Sequence, residues 1–227
     1  MRAVYFDCDG TLLTLDCEYD DLFERACDAV GVTEQRSAST QNATWSGDAD
    51  PTAEAQAAYG EAFFEAFDCF EPDPYRAGMA AAVEATALDA DPDELAAAYV
   101  DAEVAASTPA AGAHAALDAF DGDETALGVL TNGVTSVQRR KLETAGLFER
   151  FDAFLSSYEI EAHKPDAAIF DAARERLAGE AYVYVGDSLE HDARPAREAG
   201  FLPIHVDSGA ESGVVTVDGL DTLSEVA

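Results

Sequence analysis

The chain has 227 residues, 48% of them hydrophobic and 26% charged, with a formal net charge of −33. That length and apolar fraction provide for one large domain, or a core domain with an insert, and exclude an acidic disordered chain with too little apolar surface to fold. The absence of a basic patch excludes nucleic acid as a partner, and no run of eighteen apolar residues exists to span a membrane.

Acidic residues are spread along the whole sequence. Such a folded protein repels itself in dilute buffer, whereas molar salt shortens the screening length to about 3 Å and relieves the repulsion. The expectation is a cytoplasmic protein of an organism with a salt-rich interior, such as a halophilic archaeon. Only two lysines occur, Lys141 and Lys164, against eleven arginines. Cys8, Cys17, Cys27 and Cys69 show no CxxC spacing and read as reduced structural thiols. The first apolar run is too short for a signal peptide and ends in two acids.

Residues 3–7 read as a buried strand that stops at Asp7-Cys8-Asp9-Gly10-Thr11. Two carboxylates one residue apart repel unless a cation or proton lies between them, and Mg²⁺ is the simplest oxygen-seeking partner. The period of two sends Asp7 and Asp9 to one side and Cys8 to the other, into the core.

A helical pattern follows from Asp16, a candidate cap, to Gly31, with Leu22, Phe23, Ala26, Cys27 and Val30 on one face. Residues 32–50 are a long polar stretch. The Asp-Pro steps at 50–51, 73–74 and 91–92 each signal a helix start, giving helices over 51–67, 74–87 and 92–105. Residues 16–106 therefore read as an all-helical insert.

After Pro109, helices and strands alternate. Helices are expected over 110–120, 135–145, 166–177 and 192–199, and strands over 125–131, 152–157, 181–186, 202–206 and 214–217. The fold class is α/β: a parallel, Rossmann-like sheet with helices on both faces, built from 1–15 and 107–227, with the helical insert between. Ligands of such sheets sit beyond the carboxyl ends of the strands, where strand order reverses.

Four stretches carry chemistry at those ends: Asp7-Cys8-Asp9-Gly10-Thr11, Leu130-Thr131-Asn132-Gly133, Lys164-Pro165, and Gly186-Asp187-Ser188-Leu189-Glu190-His191-Asp192. Their identity and order resemble the haloacid dehalogenase-like hydrolase superfamily, in its phosphatase branch with a helical cap after the first motif. The resemblance covers essentially the whole chain. It implies Asp7 as nucleophile, forming an aspartyl-phosphate, and Asp9 as general acid and base. It implies Thr131 as the hydroxyl that bonds the transferring phosphoryl oxygens, and Lys164 as the balancing charge. Backbone amides at Asn132 and Gly133, at a helix start, are further phosphate donors, or an N-capping turn. The metal ligands implied are Asp7, the Asp9 main-chain carbonyl, Asp187 and Asp192, with Asp192 equally readable as a helix cap. Lys141, in mid-helix, reads as surface.

The loop 33–49, with Trp45 and Arg36, reads either as the selector of substrate or as plain surface. The expected activity is Mg²⁺-dependent hydrolysis of a small phosphorylated metabolite, by a monomer or homodimer. Alternatives within the superfamily are a 2-haloacid dehalogenase, which typically lacks the second acid, and a sugar phosphomutase. A non-enzymatic phospho-acceptor module fits less well, because its acceptor aspartate follows the acid pair on a later strand.

Overall fold

The computed structural model describes residues 1–32, 51–86, 88–207 and 211–226. In chain order the strands are β1 (Arg2–Phe6), β2 (Leu13–Leu15), β3 (Ser107–Pro109), β4 (Thr125–Thr131), β5 (Ala153–Ser156), β6 (Ala181–Gly186), β7 (Leu202–Val206) and β8 (Val215–Val217). The helices are α1 (Tyr19–Ala29), α2 (Pro51–Asp68), α3 (Pro74–Thr86), α4 (Pro92–Ala106), α5 (Ala113–Phe120), α6 (Thr135–Thr144), α7 (Ser157–Ile160), α8 (Ala167–Arg176) and α9 (Arg194–Glu198). They form two compact units, Met1–Asp16 with Val104–Ala227, and Cys17–Glu103.

The first unit is an α/β fold around a six-stranded parallel sheet of order β5-β4-β1-β6-β7-β8. The central strand β1 is buried on both faces, which is why it reads as a continuous apolar run. Val4 and Phe6 join one core with Leu117 and Phe120 of α5 and Leu142 of α6. Ala3 and Tyr5 join the other with Ile169 and Phe170 of α8 and Ala196 of α9. Cys8 belongs to the first core and is fully buried.

The second unit is helical and packs through aromatic rings. Tyr59 lies 5.0 Å from Tyr99 and 6.0 Å from Phe23, and Phe63 lies 5.0 Å from Tyr75. The Tyr75 hydroxyl donates to buried Glu103 (2.9 Å). Two of the Asp-Pro steps act as expected: Asp73 accepts from the Arg76 amide and Asp91 from the Asp93 amide.

Three local expectations change. Asp16 does not cap α1. Its amide donates to Ala106 (3.0 Å) beside an antiparallel ribbon of β2 and β3, and Glu18 is the N-cap, its amide bonded to Asp21. That ribbon is absent from the sequence reading because three-residue strands leave no periodicity to detect. The turn expected to begin at Asp192 begins at Leu189, as a π-helical turn over Leu189–Ala193 capped by Ser188. Asp192 therefore lies inside the turn and is not its cap.

Candidate active site

Strand order reverses at β1, which pairs with β4 on one side and β6 on the other. The three strands end in Phe6, Thr131 and Gly186, so Asp7, Asn132 and Asp187 leave the sheet side by side. The Asp7 amide continues the pairing by donating to Val185 (2.9 Å).

Beyond Asp7 the chain turns tightly, with the Gly10 amide bonded to Leu13 and the Leu13 amide to Cys8. Gly10 adopts φ +82°, and a Cβ there would lie 2.5 Å from Asp187 Oδ2. Only glycine supplies both that backbone and that closeness. Thr11 then donates to Asp187 Oδ1 (3.0 Å), and His205 Nε2 lies 2.9 Å from the Asp187 carbonyl. At Gly186 a Cβ would lie 2.6 Å from Asp192 Oδ2. The two glycines let the acidic segments close on one another.

Asp7, Asp187 and Asp192 each offer an oxygen within 4.8 Å of the others. Lys164, 4% exposed, reaches Asp7 Oδ1 (2.8 Å) and Asp192 Oδ1 (2.6 Å) and donates to the Tyr184 hydroxyl (2.8 Å). That hydroxyl stands 2.9 Å from the Leu130 carbonyl and 3.0 Å from Asp192 Oδ1. Asp192, 1% exposed, also accepts from the Ser188 amide (3.0 Å). Asn132 holds the lysine's backbone from both sides: its Nδ2 donates to the Lys164 carbonyl (3.0 Å) and its Oδ1 accepts from the Lys164 amide (2.8 Å).

The electrostatics follow from burial. It pushes the Asp7 carboxyl up to about 7, against the opposing pull of Lys164 and with added repulsion from Asp192. Asp187 is raised for the same leading reason, although its bond from Thr11 works the other way. Burial alone lowers Lys164, but the Asp7 and Asp192 carboxylates outweigh it and hold the ammonium above its ordinary value.

The site fits a divalent cation. Four carboxylates, Asp7, Asp9, Asp187 and Asp192, face two ammonium groups, Lys141 and Lys164, which leaves two negative charges when all are ionised. The glycine-backed triad offers hard oxygen donors at the spacing of one small ion.

Asp9 stands apart from the triad, its side chain 37% exposed. Gln138 Nε2 donates to its Oδ2 (2.7 Å), and Lys141 Nζ lies 3.1 and 3.2 Å from its two oxygens. Lys141 is not a surface residue: its side chain is 3% exposed. Helix α6 turns Val137, Gln138, Lys141 and Leu142 inward together, and this places the lysine beside the β1 turn.

Thr131 is buried at the end of β4, with Oγ1 3.5 Å from Gln138 Nε2. The Gly133 amide, expected to face phosphate, donates to Ser157 Oγ (3.0 Å), and the Asn132 side chain is committed to Lys164. Trp45 and Arg36 lie outside the described residues. Lys141, Gln138, Thr11 and Tyr184 take part in the site without having been assigned there from sequence. For Lys141 a signal existed, since a chain with two lysines keeps each for a reason. Tyr184 left none, because a buried strand tyrosine looks the same when it only packs.

Among the described residues no helix is long and apolar enough to cross a membrane. Comparison with known proteins gives three kinds of likeness. The chain is 34% identical over 116 residues to the pyrimidine 5'-nucleotidase YjjG of Escherichia coli, covering 50% of this chain and 51% of that one. It is 43% identical over 86 residues to the phosphoserine phosphatase of Thermus thermophilus, covering 37% and 34%. These matches thus span about half or less of the curated relatives' length. Among solved structures, the magnesium-bound HAD-hydrolase YfnB of Bacillus subtilis superposes with a TM-score of 0.68 at 20% identity, over 99% of this chain and 97% of that one. A 2-haloacid dehalogenase of Pseudomonas syringae gives 0.70 at 21%, over 100% and 97%, so the likeness to structures shows the fold alone. The family model for haloacid dehalogenase-like hydrolases matches residues 1–200. That match spans most of the sequence, and the chain belongs to the haloacid dehalogenase-like hydrolases.

Proposed function

We propose that the protein is a Mg²⁺-dependent phosphomonoesterase acting on a small phosphorylated metabolite. The observation that carries this reading is the division of the acids. Asp7, Asp187 and Asp192 gather within one ion's reach, while Asp9 is held off that group by Gln138 and Lys141. A carbon–halogen bond releases halide, which needs no proton, so a separately held second acid favours an oxygen leaving group. The names of the nucleotidase and phosphatase relatives point the same way.

In this reading Asp7, Asp187, Asp192 and the Asp9 carbonyl would hold the Mg²⁺. The ion would supply a positive field for phosphoryl oxygens and for the Asp7 carboxylate. Asp7 attacks phosphorus; an O–P bond forms to the carboxylate as the ester P–O bond breaks, and Asp9, entering this step as the carboxylic acid, gives its proton to the departing alkoxide. Water, deprotonated by the Asp9 carboxylate, then attacks the aspartyl-phosphate, releasing phosphate and restoring Asp7. Lys164 balances the charge on Asp7, and Thr131 donates to the phosphoryl group. We give the choice of leaving group to the helical unit, and the net charge of −33 supports a salt-rich cytoplasm as the setting.

The test is release of phosphate from p-nitrophenyl phosphate and a panel of phosphorylated metabolites in molar KCl, with and without Mg²⁺. Turnover that requires Mg²⁺ and disappears in Asp7→Asn is expected. Full activity of Asp7→Asn, or chloride release from 2-chloropropionate without metal, refutes the reading. An isomerised sugar phosphate in place of free phosphate reassigns the enzyme as a mutase.

A further inference from the structure

Gln138 and Lys141 are costly residues where they stand. Lys141 is an ammonium almost wholly removed from water, and Gln138 is 3% exposed. Gln138 Nε2 faces Asp9 Oδ2 (2.7 Å), the Asn132 carbonyl (3.1 Å) and Thr131 Oγ1 (3.5 Å). Two of these partners only accept, so the amide's orientation is set by them. Its Oε1 is left buried with no hydrogen-bond partner among the described residues. A protein interior rarely tolerates such an orphan unless the other end of the group is needed.

Resting on the phosphatase reading, we propose that Gln138 and Lys141 are positioning residues for the second acid. One amide N–H and one ammonium, spaced three residues apart on α6, grip both oxygens of Asp9. The grip holds the carboxyl group outside the Asp7–Asp187–Asp192 group and in one orientation, for giving its proton to the leaving oxygen as the acid and for taking one from water as the carboxylate. Neither residue is assigned a contact with substrate, since both are nearly inaccessible. The same Gln138 amide ties Asp9 to the Thr131 loop, so proton donor and phosphoryl-binding hydroxyl share one support.

The experiment uses full-length protein in molar KCl with Mg²⁺ and a series of substituted phenyl phosphates, from p-nitrophenyl to p-methoxyphenyl. Lys141→Met and Gln138→Leu are compared with wild type and Asp9→Asn by kcat/KM. Because a misplaced acid matters most for a poor leaving group, both variants are expected to lose about 10²-fold on p-methoxyphenyl phosphate and under about threefold on p-nitrophenyl phosphate. Lys141→Arg is expected to restore part of the loss, and Lys141→Met added to Asp9→Asn to cost nothing further. Equal losses along the series, or additive losses in the double variant, overturn the inference while leaving the phosphatase reading intact. A wild type that hydrolyses none of the esters overturns both. A second readout does not need activity. The chain has two lysines, so ¹³Cε-lysine NMR gives two signals; Asp9→Asn is expected to move the Lys141 signal and Asp7→Asn the Lys164 signal. A Lys141 signal that ignores Asp9→Asn refutes the grip even where Lys141→Met does not fold.

Discussion

Replacing Lys164 by methionine tests the electrostatic centre of the site. The ammonium is the cation that Asp7 and Asp192 share, at 2.8 and 2.6 Å, and both carboxylates are almost entirely buried. Methionine fills similar volume, so packing changes little and the loss is one of charge. Removing one partner of a buried ion pair costs about 3–5 kcal/mol, because the other charge is left without compensation. At about 2–4 °C per kcal/mol for a chain of this length, the melting temperature should fall by about 6–20 °C in the absence of Mg²⁺. Salt should change the loss little between 1 and 3 M KCl (assay conditions, about the range where surface charge is already screened), since buried pairs are screened far less. The pH dependence has a definite sign. Asp7 is raised from 3.8 to about 7 in the folded state, so it binds more protons folded than unfolded, and its contribution to stability falls as pH rises across that interval. Without Lys164 the carboxyl rises further, so the variant's deficit should deepen as pH rises from about 5.5 to about 8. Differential scanning calorimetry at several pH values reads this directly. A loss under about 1 kcal/mol, or a deficit that shrinks with rising pH, would refute the reasoning.

Two further predictions concern the metal. Gly10→Ala strains a backbone at φ +82° by about 1–2 kcal/mol and drives a methyl group against Asp187. Isothermal titration should show Mg²⁺ binding weakened by about tenfold or more, and unchanged affinity would remove Gly10 from the site's construction. Protons and Mg²⁺ compete for Asp7, so the rise in melting temperature given by Mg²⁺ should be larger at pH 8 than at pH 5.5, on either side of the value of about 7. Equal stabilisation at both pH values would mean that Asp7 is not a ligand.

Much of this architecture was written locally. The apolar run Ala3–Phe6 had to be a doubly buried strand, and the Asp-Pro steps before α3 and α4 act as helix starts because aspartate caps and proline suits the first turn. The abrupt arrival of acids at strand ends pointed to Asp7, Asp9 and Asp187, since no ordinary strand terminus requires them. What misled was helical position: Lys141 looks like surface in a polar decapeptide, and only the packing of α6 turns it toward Asp9. Asp192 looked like a cap because a π-helical turn cannot be told from an α-helical start by spacing.

By itself the sequence determined most of the segments that become strands and helices, though not the short β2–β3 ribbon or α7, and that carboxylates, a hydroxyl and a lysine stand in the stretches that follow strands. Those are properties of near neighbours, set by periodicity, capping and the need to bury apolar runs. Tertiary structure decided which acids gather within 4.8 Å of one another and which one is kept apart. That choice depends on strand order, on two glycines that let segments approach, and on a helix face that delivers Gln138 and Lys141 from about 130 residues away to the carboxylate of Asp9.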